Sequence, residues 1–561
     1  MSEFQPVHEE LGEASTVAAV AAREKMWREA KVASRLWKKD PTIWPGAPAA
    51  EVPDRCGWLG LPREMPGELP DLAEFVREVK EAGVRTVVLL GMGGSSLAPH
   101  VLRSVFGSAP GHPELRVLDS THPMAVRSVL SAAEVPHAFF LVSSKSGTTL
   151  EPNSFFRYFW HRLEEEHVPP ARRFAAITDP GTPLEKLARE RGFLRTFPAT
   201  STVGGRYSAL THFGLVPAAL LGVDVGRLLE RAAAMAAASG PSVDPPENPG
   251  VHLGAVLGEL AVRGRNKLTF FASGRLRPFP IWVEQLVAES TGKHGTGIVP
   301  IVDEPLVEVS SYGKDRLFVV LEDVQKEEPA LRSQVDALVR GGHPVVQYAV
   351  EDLYDLGAEM LRWEIAVALS GAVLGIDPFD QPDVESAKEM ARKAMAAPQG
   401  RRGPEPLPAL SVRDPGPLGS AFRRWAQAVP AGGYVALQAF VDPDEKMERA
   451  LTALRADLLH GLKVATMSGF GPRFLHSTGQ LHKGGPANGG FLQIIDEPGH
   501  DVAVPGDSLT FDGILRAQAL GDAQVLVGRG RPVLRVDLND QGAAGIERLR
   551  ELVAQALGER P

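Results

Sequence analysis

Residues 86–96 read TVVLLGMGGSS, an apolar run that passes directly into a glycine turn and two serines. A short buried strand, a glycine turn and a helical stretch, here 98–106, form the first half of a βα unit. The same rhythm returns in the apolar runs 115–118, 138–142 and 174–177, with helical sequence between them. Short apolar strands alternating with helices predict an α/β fold, a parallel sheet covered by helices on both faces.

A second series of strands is predicted after Pro245, and a third, smaller α/β unit follows a linker rich in Pro, Gly and Arg at 396–408. The second series comprises strands at 267–272, 316–321 and 344–349 and a long apolar helix at 361–374. The third unit has strands at 433–441, 463–467, 490–495 and 532–538. In the N-terminal region, residues 13–40 read as helix, since no Gly or Pro interrupts them. We therefore expect a helical segment at 1–50, two lobes at 51–245 and 246–395, and a C-terminal module at 409–561.

Composition narrows the class of protein. The chain has 561 residues, 44% hydrophobic and 23% charged, which is typical of globular proteins with more than one core. A formal net charge of −9 argues against general nucleic-acid binding, because phosphate backbones need clustered Lys and Arg. Cys56 is the only cysteine, so no intrachain disulfide can form. With no secretory signal or membrane span evident in the sequence, we expect a cytoplasmic protein.

Two loops at the carboxyl ends of neighbouring strands carry anion-binding chemistry. The first is GMGGSS at 91–96, and the second is SSKSGTT at 143–149. Glycines, hydroxyls and the N–H groups of a following helix suit a phosphate, and open α/β sheets bind ligands at this edge. Ser96 takes the place of the last glycine of a dinucleotide loop, and Lys145 precedes the glycine that it would follow in an ATP-binding loop. Both of those classes are therefore disfavoured.

Three further segments hold candidate polar groups. GGRYS at 204–208 sets an arginine beside two glycines, and QLVAESTGK at 285–293 puts Gln285 and Glu289 on one helix face. The third, PFDQPDVESAK at 378–388, places Gln381 ahead of a predicted helix. Taken singly, each has a plain alternative. The first segment also fits a surface turn, the second a solvated glutamate and the third a capped helix.

Together the five segments resemble phosphoglucose isomerases. That family's patterns read roughly G-I-G-G-S, S-K-T-x-T-T-x-E, G-G-R-Y-S, Q-x-x-x-E-S-x-G-K and N-P-F-x-Q-x-x-V-E-x-x-K, in the same order and with similar spacing. The resemblance spans about residues 85–390 and looks like the isomerase half of transaldolase–isomerase fusions. It implies two sugar-isomerase-type lobes, each a parallel sheet flanked by helices, with the α/β module as an addition.

The resemblance also implies roles for individual residues. Glu289 would be the base that moves a proton between C2 and C1, Arg206 would stabilise the enediolate, and Lys388 would help to open the sugar ring. Gln285 and Gln381 would bind sugar hydroxyls or ordered water. The residues implied at the substrate phosphate are Gly94, Ser95, Ser96, Ser144, Lys145, Ser146, Thr148, Thr149 and Gly205. No cofactor and no metal is implied.

The ring-opening histidine departs from the family pattern. The family usually places it between the glutamate and the lysine, often contributed by the partner subunit. Here the fitting segment is GPRFLHSTGQLHKGG at 471–485, after the lysine, which resembles the family's H-S-x-x-Q-L-x-H-x-G shortened by one residue. His476 is the first choice, with His482 and Lys483 behind it. A metal pair or a surface turn is the alternative.

The resemblance predicts an isomerase of glucose 6-phosphate and fructose 6-phosphate. The alternatives are an isomerase acting on mannose 6-phosphate or a sulfonated sugar, and a non-catalytic sugar-phosphate sensor. A sensor has no need of the catalytic set together, and no helix-turn-helix segment is evident. The expected partner is a small sugar phosphate, with a functional link to a transaldolase as a further expectation. The family is commonly dimeric, but the C-terminal module could take the partner's place within one chain.

Overall fold

A computed structural model of the protein describes residues 4–326, 328–384, 407–497 and 499–558. Its strands are β1 His8–Glu10, β2 Thr86–Gly91, β3 Glu114–Leu118, β4 Ala138–Ser143, β5 Phe174–Thr178, β6 Arg195–Pro198, β7 Lys267–Ala272, β8 Val299–Ile301, β9 Arg316–Asp323, β10 Val345–Val350, β11 Leu410–Ser411, β12 Tyr434–Phe440, β13 Ala465–Phe470, β14 Gly489–Ile495 and β15 Val533–Asp537.

The strands form three five-stranded sheets within the described ranges. Their orders are β3-β2-β4-β5-β6, β1-β10-β9-β7-β8 and β11-β15-β14-β12-β13. Every pairing is parallel except that of β1 with β10, which is antiparallel. The predicted α/β class and its three strand series are therefore confirmed.

Helices connect the strands and cover the sheets. They span Ala14–Glu29, Val32–Trp37, Leu61–Glu64, Leu69–Glu81, Leu97–Phe106, Pro123–Ser128, Leu150–Glu165, Pro183–Arg191, His212–Leu220, Val225–Ala238, Pro249–Val262, Phe279–Thr291, Pro329–Arg340, Leu356–Leu374, Pro415–Ala428, Glu445–Leu462, Gly479–Gly484, Phe511–Gly528 and Ala543–Gly558. Across the described ranges, no helix is both long and apolar enough to cross a membrane.

The stretch predicted as helix at 13–40 is helical over Ala14–Glu29 and Val32–Trp37, and it is divided at Lys31. Lys31 adopts a left-handed conformation (φ 53°), which ends one helix and starts the next. Val32 and Leu36 of the second helix are buried. The change of direction therefore brings a second apolar face onto the core, a tertiary effect that the local sequence does not announce.

The first two lobes share one hydrophobic core. Leu356–Leu374 is buried for most of its length and packs chiefly against Pro249–Val262 and Val225–Ala238. The core extends from side chains around the first sheet, such as Leu89, to side chains around the second, such as Trp363. Because this core is shared and close-packed, the two lobes support the residues between their sheets as one unit.

The C-terminal module has its own core and also packs on both lobes. Phe511 stacks on Phe155 of the first lobe with ring centroids 5.8 Å apart. Against the second lobe, Leu481 and Phe491 join a cluster with Ala288 and Ile301. The module therefore covers the junction between the two lobes, at the carboxyl ends of their strands.

Candidate active site

The glycine loop after β2 lies against two other segments of the site. Gly93 has a φ of +54°, and a Cβ on it would sit 2.6 Å from the carbonyl oxygen of His476. A Cβ on Gly94 would sit 2.1 Å from the carbonyl oxygen of Gly205. Both separations are too short for a side chain. Glycine here therefore allows three backbone segments, distant in sequence, to meet at the carboxyl edge of the first sheet.

The hydroxyl loop after β4 lies beside the glycine loop. The Ser143 hydroxyl donates to the Ser95 carbonyl at 3.1 Å, which ties the two loops together. The Ser144 hydroxyl donates to that of Thr149 at 3.1 Å, directly ahead of the helix Leu150–Glu165. The N–H groups at the start of a helix attract anions, so the predicted phosphate position has both hydroxyls and helix N–H groups near it.

Other members of the predicted phosphate set have different surroundings. The Lys145 ammonium pairs with the Asp179 carboxylate at 2.6 Å, so its charge is already compensated. Ser96 is fully buried, and its hydroxyl donates to the Gly93 carbonyl, closing the glycine turn. The remaining hydroxyls, Ser146 and Thr148, are exposed and hydrogen-bonded to each other at 3.0 Å.

Arg206 is buried at the centre of the site. Its Nε donates to the Ser290 hydroxyl at 2.9 Å, and its Nη1 donates to Gln381 Oε1 at 2.9 Å. Nη2 donates to the carbonyls of Pro378 and Asp380, each at 2.8 Å. The guanidinium therefore fixes the segment that carries Gln381 and presents a positive charge at a set position.

Glu289 lies next to that charge. Its Oε2 is 3.3 Å from Nη1 of Arg206 and 3.4 Å from Nε2 of Gln285, one turn earlier on the helix Phe279–Thr291. Burial raises the pKa of the Glu289 carboxyl, and the positive charges of Arg206 and His476 oppose that rise only in part. A carboxylate with a raised pKa beside a fixed cation has the properties of a general base.

His476 reaches the site from the C-terminal module. Its Nε2 lies 2.9 Å from Oε1 of Glu151, and its backbone carbonyl accepts from Gln285 Nε2 at 2.8 Å. Gln285 therefore contacts both Glu289 and the His476 segment. The structure brings the predicted glutamate, arginine and histidine together: Glu289 contacts Arg206 directly and is linked through Gln285 to the His476 segment, which comes from a different unit of the fold.

The two reserve candidates of that segment lie elsewhere. His482 is buried among the rings of Phe474 and Phe491, and burial holds its pKa well below the usual histidine range. Lys483 is buried too, with its ammonium 2.5 Å from a carboxylate oxygen of Asp522. These contacts make both residues part of the module's core, which argues against a role at the substrate. Lys388 lies outside the described residues.

Two residues of the site were not predicted. Glu151 matches the last position of the pattern S-K-T-x-T-T-x-E, so the sequence held a signal for it. Lys293, at the end of QLVAESTGK, is fully buried and donates to the Asp377 carbonyl at 2.6 Å and to the Asp380 carboxylate at 2.5 Å. Burial and the nearby Arg206 lower the pKa of Lys293 to about 8. Lys293 and Arg206 thus hold the same segment from two sides.

Within the ranges that the structure describes, no group of three or more His, Cys, Asp or Glu side chains is arranged to hold a metal ion. What the site offers is two carboxylates, one guanidinium, one imidazole, one ammonium and two amides beside the glycine and hydroxyl loops. Such a set can bind a phosphorylated polyol and move protons on it.

Comparison with known proteins places this arrangement in a family. A family model described as phosphoglucose isomerase matches residues 74–313. A glucose-6-phosphate isomerase of Symbiobacterium thermophilum is 30% identical over 389 residues, covering 59% of this chain and 85% of the relative.

Two solved structures share the fold. A hypothetical protein of Thermus thermophilus is 24% identical with a TM-score of 0.56, covering 69% of this chain and 100% of that one. A glucose-6-phosphate isomerase of Chlamydia trachomatis is 22% identical with a TM-score of 0.50, covering 65% of this chain and 77% of that one. Sequence match, fold and the order of the motifs agree: this chain belongs to the phosphoglucose isomerase family.

Proposed function

We propose that the protein is an aldose–ketose isomerase that interconverts glucose 6-phosphate and fructose 6-phosphate. The observation that carries this proposal is the Glu289 carboxylate, largely enclosed in the site and 3.3 Å from the buried Arg206 guanidinium. Sugar-phosphate binding alone would not require this pair. Membership of the family, and the name of the Symbiobacterium relative, support the choice of substrate.

In the proton-transfer step, Glu289 removes the proton from C2 of the open-chain aldose. The electron pair forms the C1–C2 double bond of a cis-enediolate, and the negative charge develops on O1. Arg206 stabilises that charge electrostatically from a fixed position. The proton on O2 passes to O1, and Glu289 returns its proton to C1, which leaves a carbonyl at C2. One carboxylate on one face serves both transfers.

In the preceding step, His476 would act on the closed ring. The C1–O5 bond breaks as the ring oxygen gains a proton and the C1 hydroxyl loses one. Because Glu151 engages Nε2 of His476, Nδ1 is the nitrogen that can exchange a proton with the substrate. Lys388 is assigned to the same step by its motif. The phosphate would bind at the Ser144–Thr149 loop and the helix that follows it.

The test uses purified protein with three substrates: glucose 6-phosphate, mannose 6-phosphate and a 6-sulfonated hexose. We expect turnover of the first at least about tenfold above the others, a difference of about 1.4 kcal/mol in transition-state binding. Preference for mannose 6-phosphate or for the sulfonated hexose would change the proposed substrate. Binding of a hexose phosphate without turnover of any of the three would instead indicate a sensor.

Replacement of the base gives a second check. Glu289→Gln should lower kcat by about 10²–10⁴-fold, the usual contribution of a general base, and leave hexose-phosphate affinity by calorimetry largely intact. Glu284→Gln is the matched control, the same change one position before Gln285 on the same helix. Burial raises the pKa of Glu284 to about 8, so its neutral replacement should change kcat little. Near-normal kcat in Glu289→Gln would overturn the assignment.

A further inference from the structure

The carboxylate behind His476 has a second donor. Gln518, on the helix Phe511–Gly528 of the C-terminal module, donates from Nε2 to Oε1 of Glu151 at 2.6 Å. The same oxygen lies 2.9 Å from Nε2 of His476. Glu151 and Gln518 are both buried, with 2% and 7% of their surfaces exposed. One carboxylate oxygen of the first lobe is therefore hydrogen-bonded to two side chains of the module.

We propose that Gln518 is a positioning residue for ring opening, which holds the Glu151 carboxylate so that His476 keeps one ring nitrogen toward the substrate. The inference rests on the proposed function and adds a residue from the module, outside the part of the chain that the family model matches. Gln518 does not touch the reacting atoms. It acts through Glu151.

The chemistry of the contact supports this role. A buried carboxylate that lacks donors becomes protonated, and as a carboxylic acid it would no longer fix the tautomer of the histidine. Burial alone would raise the pKa of Glu151, but the charge and hydrogen bond of His476, with the Gln518 amide, outweigh it and lower the pKa. The amide nitrogen of Gln518 must face Glu151, because its oxygen would be repelled there.

The geometry also explains why the histidine can arrive from a separate unit. His476 precedes the short helix Gly479–Gly484, and Gln518 lies in the middle of a long helix of the same module. Both meet Glu151 at the start of the helix Leu150–Glu165 of the first lobe. When the module docks, two hydrogen bonds form on one carboxylate, so correct docking and correct histidine orientation coincide.

The test compares Gln518→Met with Gln493→Met in the full-length protein. Gln493 is the matched control, since it is a buried glutamine of the module whose Nε2 donates to the Ala519 carbonyl of the same helix, at 2.9 Å. Two substrates separate the steps. Glucose 6-phosphate must be opened, whereas erythrose 4-phosphate cannot close a ring, so exchange of its C2 proton with solvent reports proton transfer alone.

We expect Gln518→Met to lower kcat/KM for glucose 6-phosphate by about 10- to 100-fold, the range for a hydrogen bond to a charged group. Proton exchange on erythrose 4-phosphate should change less than about threefold. When kcat/KM for glucose 6-phosphate is plotted against pH, activity falls on the acid side, and we call this part the acid limb. It should move to higher pH, because Glu151 has lost a donor that stabilises its anion. Gln493→Met should affect both substrates equally and leave the limb in place.

Gln518→Glu provides an internal check that does not depend on how well another variant folds. A glutamic acid can donate to Glu151 only when protonated, so its activity relative to wild type should rise as the pH falls. Gln518→Met should show the opposite trend. Equal losses on both substrates, or an unmoved acid limb, would overturn the inference alone. Absence of turnover in the wild-type protein would overturn the proposed function itself.

Discussion

At the scale of single residues, the balance between burial and neighbouring charge sets the pKa of Glu289. Burial raises its pKa, and Arg206 opposes that rise from 3.3 Å without cancelling it. The general base that we propose Glu289 to be works only when deprotonated, so its raised pKa means that activity is lost at a higher pH than for an ordinary glutamate. The sign follows from the carboxyl group, whose neutral form dominates below its pKa.

We therefore predict that proton exchange on erythrose 4-phosphate falls through an acid limb centred above pH 4.5, the ordinary glutamate value. This substrate needs no ring opening, so the histidine step does not contribute to its profile. The measurement is kcat against pH with saturating erythrose 4-phosphate, because kcat/KM would also report the second ionisation of the free substrate phosphate, at about pH 6. A limb centred at or below 4.5 would contradict the burial argument for Glu289.

Single residues also mark what the sequence could and could not predict of the site. Glu289, Arg206 and Gln381 come from separate motifs, yet each could be assigned because its motif is contiguous. The contact of His476 with Glu151 joins residues 325 positions apart, and that of Gln518 spans 367. The sequence around one member of such a pair contains no signal for the other member. Such pairs follow only from how the module docks.

At the scale of secondary-structure elements, long apolar strands were predictable, whereas the four shortest edge strands, β1, β6, β8 and β11, were not. The central strands β2, β4 and β12 are buried throughout, and each was predicted from its apolar run. β8 has three residues with Pro300 in the middle, a residue that usually argues against a strand. It lies at the edge of its sheet, where a missing N–H need not break a ladder.

A buried ion pair at that edge links the second lobe to the module. Glu304, just after β8, pairs with Arg316 of β9 at 2.7 Å, and neither side chain is exposed. The same carboxylate accepts from the backbone N–H of Thr466 on β13 at 2.7 Å. One glutamate thus compensates a buried charge and satisfies an edge-strand donor of the neighbouring sheet.

We predict that Glu304→Gln lowers the free energy of unfolding by about 3–5 kcal/mol, because it leaves the Arg316 charge buried without compensation. Denaturant unfolding measures this. The double variant with Arg316→Met should recover part of the loss, since no unpaired charge remains. Glu445→Gln, at the exposed pair with Arg449, is the control and should change stability little. If Glu304→Gln and the control Glu445→Gln changed the free energy of unfolding equally, the linking role of Glu304 would be refuted.

At the scale of the whole molecule, the C-terminal module places His476 beside Glu151 of the same chain. Arg473 makes two hydrogen bonds to the Asp119 carboxylate of the first lobe, at 2.7 and 2.9 Å, three residues before His476. A second contact, between Arg157 and Asp507, lies farther along the same interface. Together with the Phe155–Phe511 stack, these contacts fix the His476 segment against its own first lobe.

This arrangement predicts that inactive variants cannot complement each other. If Glu289→Gln and His476→Ala chains are co-expressed, every chain carries one lesion in its own site, and the activity should not exceed the mean of the two parents. If a partner subunit supplied the histidine, about half of randomly formed dimers would be mixed, and about a quarter of all sites would be intact. Recovery to that level would contradict completion within one chain.

Separate tags on the two variants make the comparison decisive. Material retained through both tags contains any mixed assembly, and its activity per chain distinguishes an oligomer of self-sufficient sites from one with exchanged histidines. Wild-type chains with the same tags set the full activity. Because Gln285 contacts both Glu289 and the His476 segment of one chain, we expect doubly tagged material, if any forms, to be as inactive as its parents.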